Sequence, residues 1–146
     1  MRSIVVLGGY GNFGKRIVEG LTTDADLCIY VAGRSVNKAQ QLCDRLQTGS
    51  GAQLKALGLD VNSLGFVDAL RKVSPFLIIH TCGPFQGQSY AIVEVCLQLG
   101  VHYIDLADDR DYVCNIEQFS ERAKSQKLHL VTGASSVPGL SSAVID

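Results

Sequence analysis

Three glycines, Gly9, Gly11 and Gly14, stand at the spacing G-x-G-x-x-G directly after the apolar run Ile4-Val5-Val6-Leu7. The chemistry such a turn can do is to grip a diphosphate. Gly9 permits the tight bend, Gly11 lets the main chain approach a pyrophosphate, and Gly14 lets the next helix pack close to the strand. The amides that open the helix, at Asn12 and Phe13, then face the anion with the positive end of the helix dipole behind them. The letters alone are a weak signal, since a purely structural glycine turn can carry them. Their place in the first strand-to-helix turn is where a dinucleotide's phosphates are held, and dinucleotide binding is the reading that follows.

The residues after the second apolar run bear on which dinucleotide. A site for NAD places Asp or Glu about 20 residues beyond the glycines, on the ribose 2′-hydroxyl. This chain has Gly33-Arg34-Ser35 there, with Lys38 one helical turn later. An acid would repel a 2′-phosphate, whereas a guanidinium offers it a matching fork of donors. NADP(H) is therefore expected over NAD(H), with Arg34 on the phosphate and Ser35 adding a hydroxyl or a main-chain N–H. The plainer alternative leaves Arg34 solvated and Ser35 a helix cap. Two more loops belong to the same edge. Asp60-Val61 follows a third strand where adenine would lie, and Asp60 could accept from the adenine amino group; equally, Asp60 or Asn62 could cap the next helix. Cys82-Gly83-Pro84 follows a fourth strand and offers main chain to the nicotinamide ribose, and a rigid Gly-Pro turn is compatible with that contact.

Acid–base chemistry is harder to assign. His102 and Asp105 could serve, but alternation places them on opposite faces of a strand. His80 sits in the most apolar strand and reads as a core histidine, and His129 as structural. The catalytic residues are left unassigned. No Cys or His pair has metal-ligand spacing, so no metal is expected. Cys82 reads as a packing thiol, because no cation beside it would lower its pKa. No Tyr is followed by Lys four residues on, which excludes ordinary short-chain dehydrogenase chemistry. A methyltransferase would want an acid where Arg34 stands.

The elements that must hold these loops alternate. Strands are expected at 4–7, 27–32, 53–59, 76–81, 102–106 and 128–131. Between them, Phe13, Ile17, Val18 and Leu21 mark a first helix at helical spacing. Val36, Ala39, Leu42, Cys43 and Leu46 mark a second, capped by Ser35. Leu64, Val67, Leu70 and Val73 mark a third. Ile92, Val95, Cys96 and Leu99 mark a fourth, closed by Gly100. A single long fifth helix over 112–127 buries Val113, Ile116, Phe119 and Ala123. Alternation of this kind means βαβ units, a parallel sheet with helices on both faces, and right-handed crossovers. The doubly wound α/β order 3-2-1-4-5-6 is expected, with a five-stranded flavodoxin-like order as the alternative.

Composition sets the outer bounds. The chain has 146 residues, 47% of them hydrophobic and 18% charged, with a net charge of −1. One domain is expected, and too few clustered cations are present for nucleic acid or an anionic membrane as partner. Charged residues average roughly 25% in soluble domains, and the shortfall suggests surface meant to be covered. Five cysteines, an odd number, suggest reduced thiols in a cytoplasmic protein. The stretch 135–146 reads as a turn and an interrupted helix, so residues 1–134 are expected to form the cofactor domain and 135–146 the start of a connection to a second domain.

Taken together, Gly8-Gly9-Tyr10-Gly11-Asn12-Phe13-Gly14, Ala32-Gly33-Arg34-Ser35, Cys82-Gly83-Pro84-Phe85, Gly100-Val101-His102-Tyr103-Ile104-Asp105-Leu106 and Gly133-Ala134-Ser135-Ser136-Val137-Pro138-Gly139 resemble the NADP-binding domain of saccharopine dehydrogenase-like oxidoreductases. The resemblance covers nearly the whole chain. It implies an NADP-dependent oxidoreductase that moves hydride at a C=N or C=O centre. It also implies a second α+β domain that holds the small-molecule substrate and assists a homodimer. This stretch of sequence would then be the cofactor half, inactive alone. The alternative is a non-catalytic NADP(H)-sensing regulatory module.

Overall fold

The structure, a computed structural model, describes residues 1–135; the connection expected over 135–146 lies outside them except for Ser135. Strand β1 (Arg2–Leu7) leads to α1 (Asn12–Leu21), and β2 (Leu27–Gly33) to α2 (Val36–Gln47). Then come β3 (Gln53–Gly58), α3 (Phe66–Val73), β4 (Leu77–His80), α4 (Ala91–Leu99) and β5 (His102–Asp105). The last elements are α5 (Arg110–Asn115), a 3-10 turn (Ile116–Phe119), α6 (Ser120–Ser125) and β6 (Leu130–Val131). The sheet is six-stranded and parallel, in the order β3-β2-β1-β4-β5-β6. That is the doubly wound order expected from the alternation.

The chain gathers into two compact units that divide between Thr81 and Cys82. In the first, β1 lies between β2 and β4, and Leu7 is level with Ala32 on one side and His80 on the other. These strands therefore finish together, and the loops after β1, β2 and β4 leave from one edge. Side chains alternate across a strand. Ile4 and Val6 meet Val18 of α1 and Ala39, Leu42 and Cys43 of α2, while Val5 and Leu7 point the other way and are just as buried. With both faces covered, β1 has to read as an unbroken apolar run. Strand β3 pairs with β2 at the sheet's edge and alternates instead, with Leu54 and Ala56 half-buried and Gln53 and Lys55 exposed. Its sequence signal is weaker for that reason.

Helix ends follow local chemistry. Ser35 caps α2, its Oγ accepting from the Lys38 N–H at 3.3 Å. Gly100 closes α4 in the left-handed region at φ 71°, where a Cβ would be strained. Four expectations fail, each for a physical reason. Phe13 is not a core residue of α1 but is 67% exposed, because Gly14 and Val18 define the buried face. Helix α3 starts at Phe66, and Leu64 is fully exposed. The preceding residues are held as a turn: Asp60 Oδ1 accepts from the Asn62 N–H at 2.9 Å, and Asp60 O from the Ser63 N–H at 3.0 Å. Neither Asp60 nor Asn62 caps α3, whose cap position is Gly65. The single helix expected over 112–127 is broken into α5, the 3-10 turn and α6. Tyr90 Oη donates to the Tyr112 carbonyl at 2.5 Å, and Gln118 Nε2 to the Asn115 carbonyl at 2.9 Å. Side chains thus compete for carbonyls that a continuous helix would use.

The second unit has its own core. Phe85, Ala107 and Tyr112 are buried together, with Tyr90 and Val113 packed against them. The Tyr103 hydroxyl, fully buried, donates to Asp105 Oδ2 at 2.8 Å and lies 3.1 Å from Tyr112 Oη. Burial, and then the nearby Asp105 charge, push the Tyr103 phenol far above its ordinary value. Burial also pushes Tyr112 from 10.0 to about 12. The folded state therefore prefers both phenols neutral. The contribution of Tyr112 to stability is complete below pH 10.0 and is lost as pH rises through about 12; that of Tyr103 is held to higher pH still. An absorbance titration of tyrosinate should show these two phenols ionising together with unfolding. Smooth ionisation of all five tyrosines near pH 10 with the fold intact would contradict that packing.

Candidate functional site

The turn over residues 8–14 is built by close approaches. Gly8 takes the left-handed φ of 74°, so the sharp bend falls there rather than at Gly9, where the motif places it. Gly9 is glycine for a different reason. A Cβ would lie 2.9 Å from Val31 Cγ1 and 2.9 Å from Val6 O. The Gly8 and Gly9 amides both donate to Ala32 O, at 2.9 and 3.0 Å, and sew the turn to the end of β2. Gly14 is the tightest position, since a Cβ there would stand 2.1 Å from Gly8 O. Helix α1 therefore begins pressed against the turn.

The opening of α1 is left to main chain. Gly11 occupies the cap position with no side-chain cap, and no acid lies in the first turn. Helix α2 also lacks an acid in its first turn. Gly11, Asn12 and Phe13 are exposed. An exposed set of first-turn amides, at the positive end of a helix and with no resident carboxylate, is the donor set that an anionic diphosphate requires. The cradle fits the group.

At the end of β2, Arg34 and Lys38 are exposed and Ser35 is half-buried. These residues share the edge from which the glycine turn leaves, because β1 and β2 end in register. The Ser35 amide, one of the phosphate donors expected from sequence, is already engaged: it donates to Tyr10 Oη at 2.9 Å. The Ser35 hydroxyl accepts from the Lys38 N–H and can still donate. Asp60 and Val61, half-buried, follow β3 at the same edge. Two bracing residues were not singled out from sequence. Tyr10 is one. Thr81 is the other: its Oγ1 donates to Leu7 O at 2.7 Å, and its N–H to Leu7 O at 3.1 Å, tying the end of β4 to the end of β1. The available signals were an aromatic inside the glycine turn and a hydroxyl closing an apolar strand.

In the second unit, Gly83 and Pro84 are exposed and Cys82 is half-buried. Gln88 Nε2 donates to Cys82 O and to Pro84 O, both at 3.0 Å. Phe85 turns inward against Tyr112, ring centres 5.3 Å apart. The turn is thus braced from within and leaves Gly83 and Pro84 exposed.

The acid–base candidates of the sequence make structural contacts. Asp105 is fully buried. Its Oδ1 accepts from the Ala107 N–H at 3.0 Å, the Gly133 N–H at 2.9 Å and Thr132 Oγ1 at 2.8 Å; its Oδ2 accepts from Tyr103. This carboxylate joins the end of β5 to the chain after β6, and its lone pairs are occupied. Asp109 caps α5 by accepting from the Tyr112 N–H at 3.0 Å. His102 Nδ1 accepts from the His129 N–H at 3.0 Å, and the two rings stack 5.3 Å apart. His80 is buried in β4. Among the described residues, no cluster of His, Cys, Asp or Glu could hold a metal ion. Asp105→Asn should lower stability by about 3 kcal/mol, because an amide NH₂ would face donors that now meet a carboxylate. Urea unfolding reads this, and an unchanged midpoint would contradict the structural role.

Comparison with known proteins places this geometry. The family described as the saccharopine dehydrogenase NADP binding domain matches residues 4–131. Among solved structures, apo saccharopine dehydrogenase (L-Glu forming) from Saccharomyces cerevisiae is similar at 19% identity and a TM-score of 0.74, covering 97% of this chain. The chain spans 29% of the length of that enzyme. A short-chain dehydrogenase from Sphingobium yanoikuyae in complex with NADPH is similar at 13% identity and a TM-score of 0.65, with 90% of this chain and 70% of that chain covered. L-sorbose reductase from Gluconobacter frateurii, complexed with NADPH and L-sorbose, is similar at 13% identity and a TM-score of 0.68, with 87% and 66% covered. At such identities the likeness is one of fold. No curated protein sequence matches the chain. Since the family match spans nearly the whole chain, the chain belongs to the saccharopine dehydrogenase NADP binding domain family, whose cofactor is NADP.

Proposed function

We propose that this chain is the cofactor half of an NADP(H)-dependent oxidoreductase that moves hydride at a C=N or C=O centre. The observation that carries the reading is the pairing of an acid-free amide cradle at residues 8–14 with Arg34, not an acid, at the end of β2. The bound nicotinamide supplies the hydride chemistry; the chain's part is to hold and orient. The amides opening α1 hold the diphosphate. Arg34, with Ser35 and Lys38, holds the 2′-phosphate. Asp60 and Val61 border the adenine, and Cys82, Gly83 and Pro84 offer main chain to the nicotinamide ribose. A small-molecule substrate, a second domain to bind it, a homodimer and a cytoplasmic location belong to the same proposal. No helix among the described residues is long and apolar enough to cross a membrane.

One observation favours a second reading, a non-catalytic NADP(H)-sensing module. The carboxyl best placed by sequence to move a proton, Asp105, is committed to structure. Turnover of the full-length protein with NADPH against a panel of imines and keto acids separates the two. Oxidation of NADPH with at least one member of the panel supports the enzyme. Tight NADPH binding without turnover of any member would replace it with the sensor.

A further inference from the structure

Tyr10 occupies the first variable position of the glycine turn, between Gly9 and Gly11, where the dinucleotide motif asks for no particular residue. In the structure it is not idle. Its Oη accepts from the Ser35 N–H at 2.9 Å, across 25 residues of chain. Its ring lies on Gly33, where a Cβ would come within 2.4 Å of Cε1 and 2.7 Å of Oη. The last residue of β2 is thus glycine because the phenol needs that space. Helix α2 begins at Val36 with Ser35 as its cap, so one ring links the diphosphate turn to the residues that launch Arg34 and Lys38.

This arrangement bears on cofactor choice. A phenol accepts and donates through one oxygen. With the Ser35 amide as its donor, the Tyr10 oxygen fixes the main chain beside Arg34 and keeps its own proton for an acceptor. We infer that Tyr10 is a specificity-determining positioning residue: it holds the Arg34–Ser35 turn in the form that recognises a nucleotide 2′-phosphate. The inference rests on the assignment of Arg34 to that phosphate. Tyr10 is not needed for a nucleotide with a free 2′-hydroxyl, since the cradle amides are supplied by Gly11, Asn12 and Phe13.

The test is calorimetric titration of the full-length protein, wild type and Tyr10→Phe, with NADP and with NAD. Wild type should prefer NADP. Tyr10→Phe should weaken NADP binding about tenfold, the scale of one hydrogen bond serving a charged group, and leave NAD binding within about twofold. Gly33→Ala, which displaces the ring without altering its chemistry, should reproduce the selective loss. Equal weakening of both nucleotides would overturn the inference and make Tyr10 a support of the diphosphate turn alone. Unchanged or tighter NADP binding in Tyr10→Phe would overturn it too, showing the Ser35 amide to be the better phosphate donor once released. A wild type with no preference would instead remove the Arg34 assignment beneath it.

Discussion

Gly14→Ala is expected to weaken NADPH binding by about 100-fold or more and to lower stability by about 1–3 kcal/mol. The added Cβ would stand 2.1 Å from Gly8 O and 2.8 Å from Gly9 Cα, and both are main chain. Neither can swing aside as a side chain would. Either α1 moves away from the turn or the turn opens, and in both cases the amides at 11–14 leave the geometry that converges on a diphosphate. Gly20→Ala is the matched control. It lies on the same helix with nothing within 4 Å of a new Cβ. It should leave binding unchanged and, by lowering the freedom of the unfolded chain, stabilise slightly. Gly14→Ala protein that binds NADPH as well as the control would remove the cradle from the account.

Arg34→Asp should reverse the cofactor preference. A guanidinium offers charge-assisted donors to a phosphate, each worth about 1.5–3 kcal/mol, so loss of two costs about 100-fold or more in NADPH affinity. The new carboxylate adds repulsion against a 2′-phosphate and can accept from a free ribose hydroxyl, so NADH should bind a few-fold tighter. Because Arg34 is exposed, the effect should shrink as salt is raised and charges are screened. A preference for NADPH that survives the substitution would return Arg34 to the role of a solvated loop residue.

How far the sequence carries depends on how far each feature is local. Strands β1 and β4 are legible because both faces are covered and the runs Ile4 to Leu7 and Leu77 to Ile79 are apolar without a break. Ser35 and Gly100 are legible because a cap or a left-handed residue acts within its own turn. The cradle is half legible. The spacing gives the turn, but the division of labour between Gly8 and Gly9 depends on Val31, a residue of the neighbouring strand. Tyr10 was invisible for the same reason, since its partners Gly33 and Ser35 are brought to it only by the pairing of β1 with β2. Asp105 looked like an acid–base group because its donors come from Thr132 and Gly133, 27 and 28 residues away. At the break between α5 and α6 the Tyr90 hydroxyl reaches the Tyr112 carbonyl from 22 residues away, and helical periodicity could not reveal that contact.

The most direct test of the account is a crystal structure of the full-length protein with NADP bound. The diphosphate should lie within ~3 Å of the main-chain nitrogens that open α1, with the 2′-phosphate in contact with the Arg34 guanidinium. A nucleotide bound elsewhere, with the 8–14 turn closed by its own side chains, would contradict it.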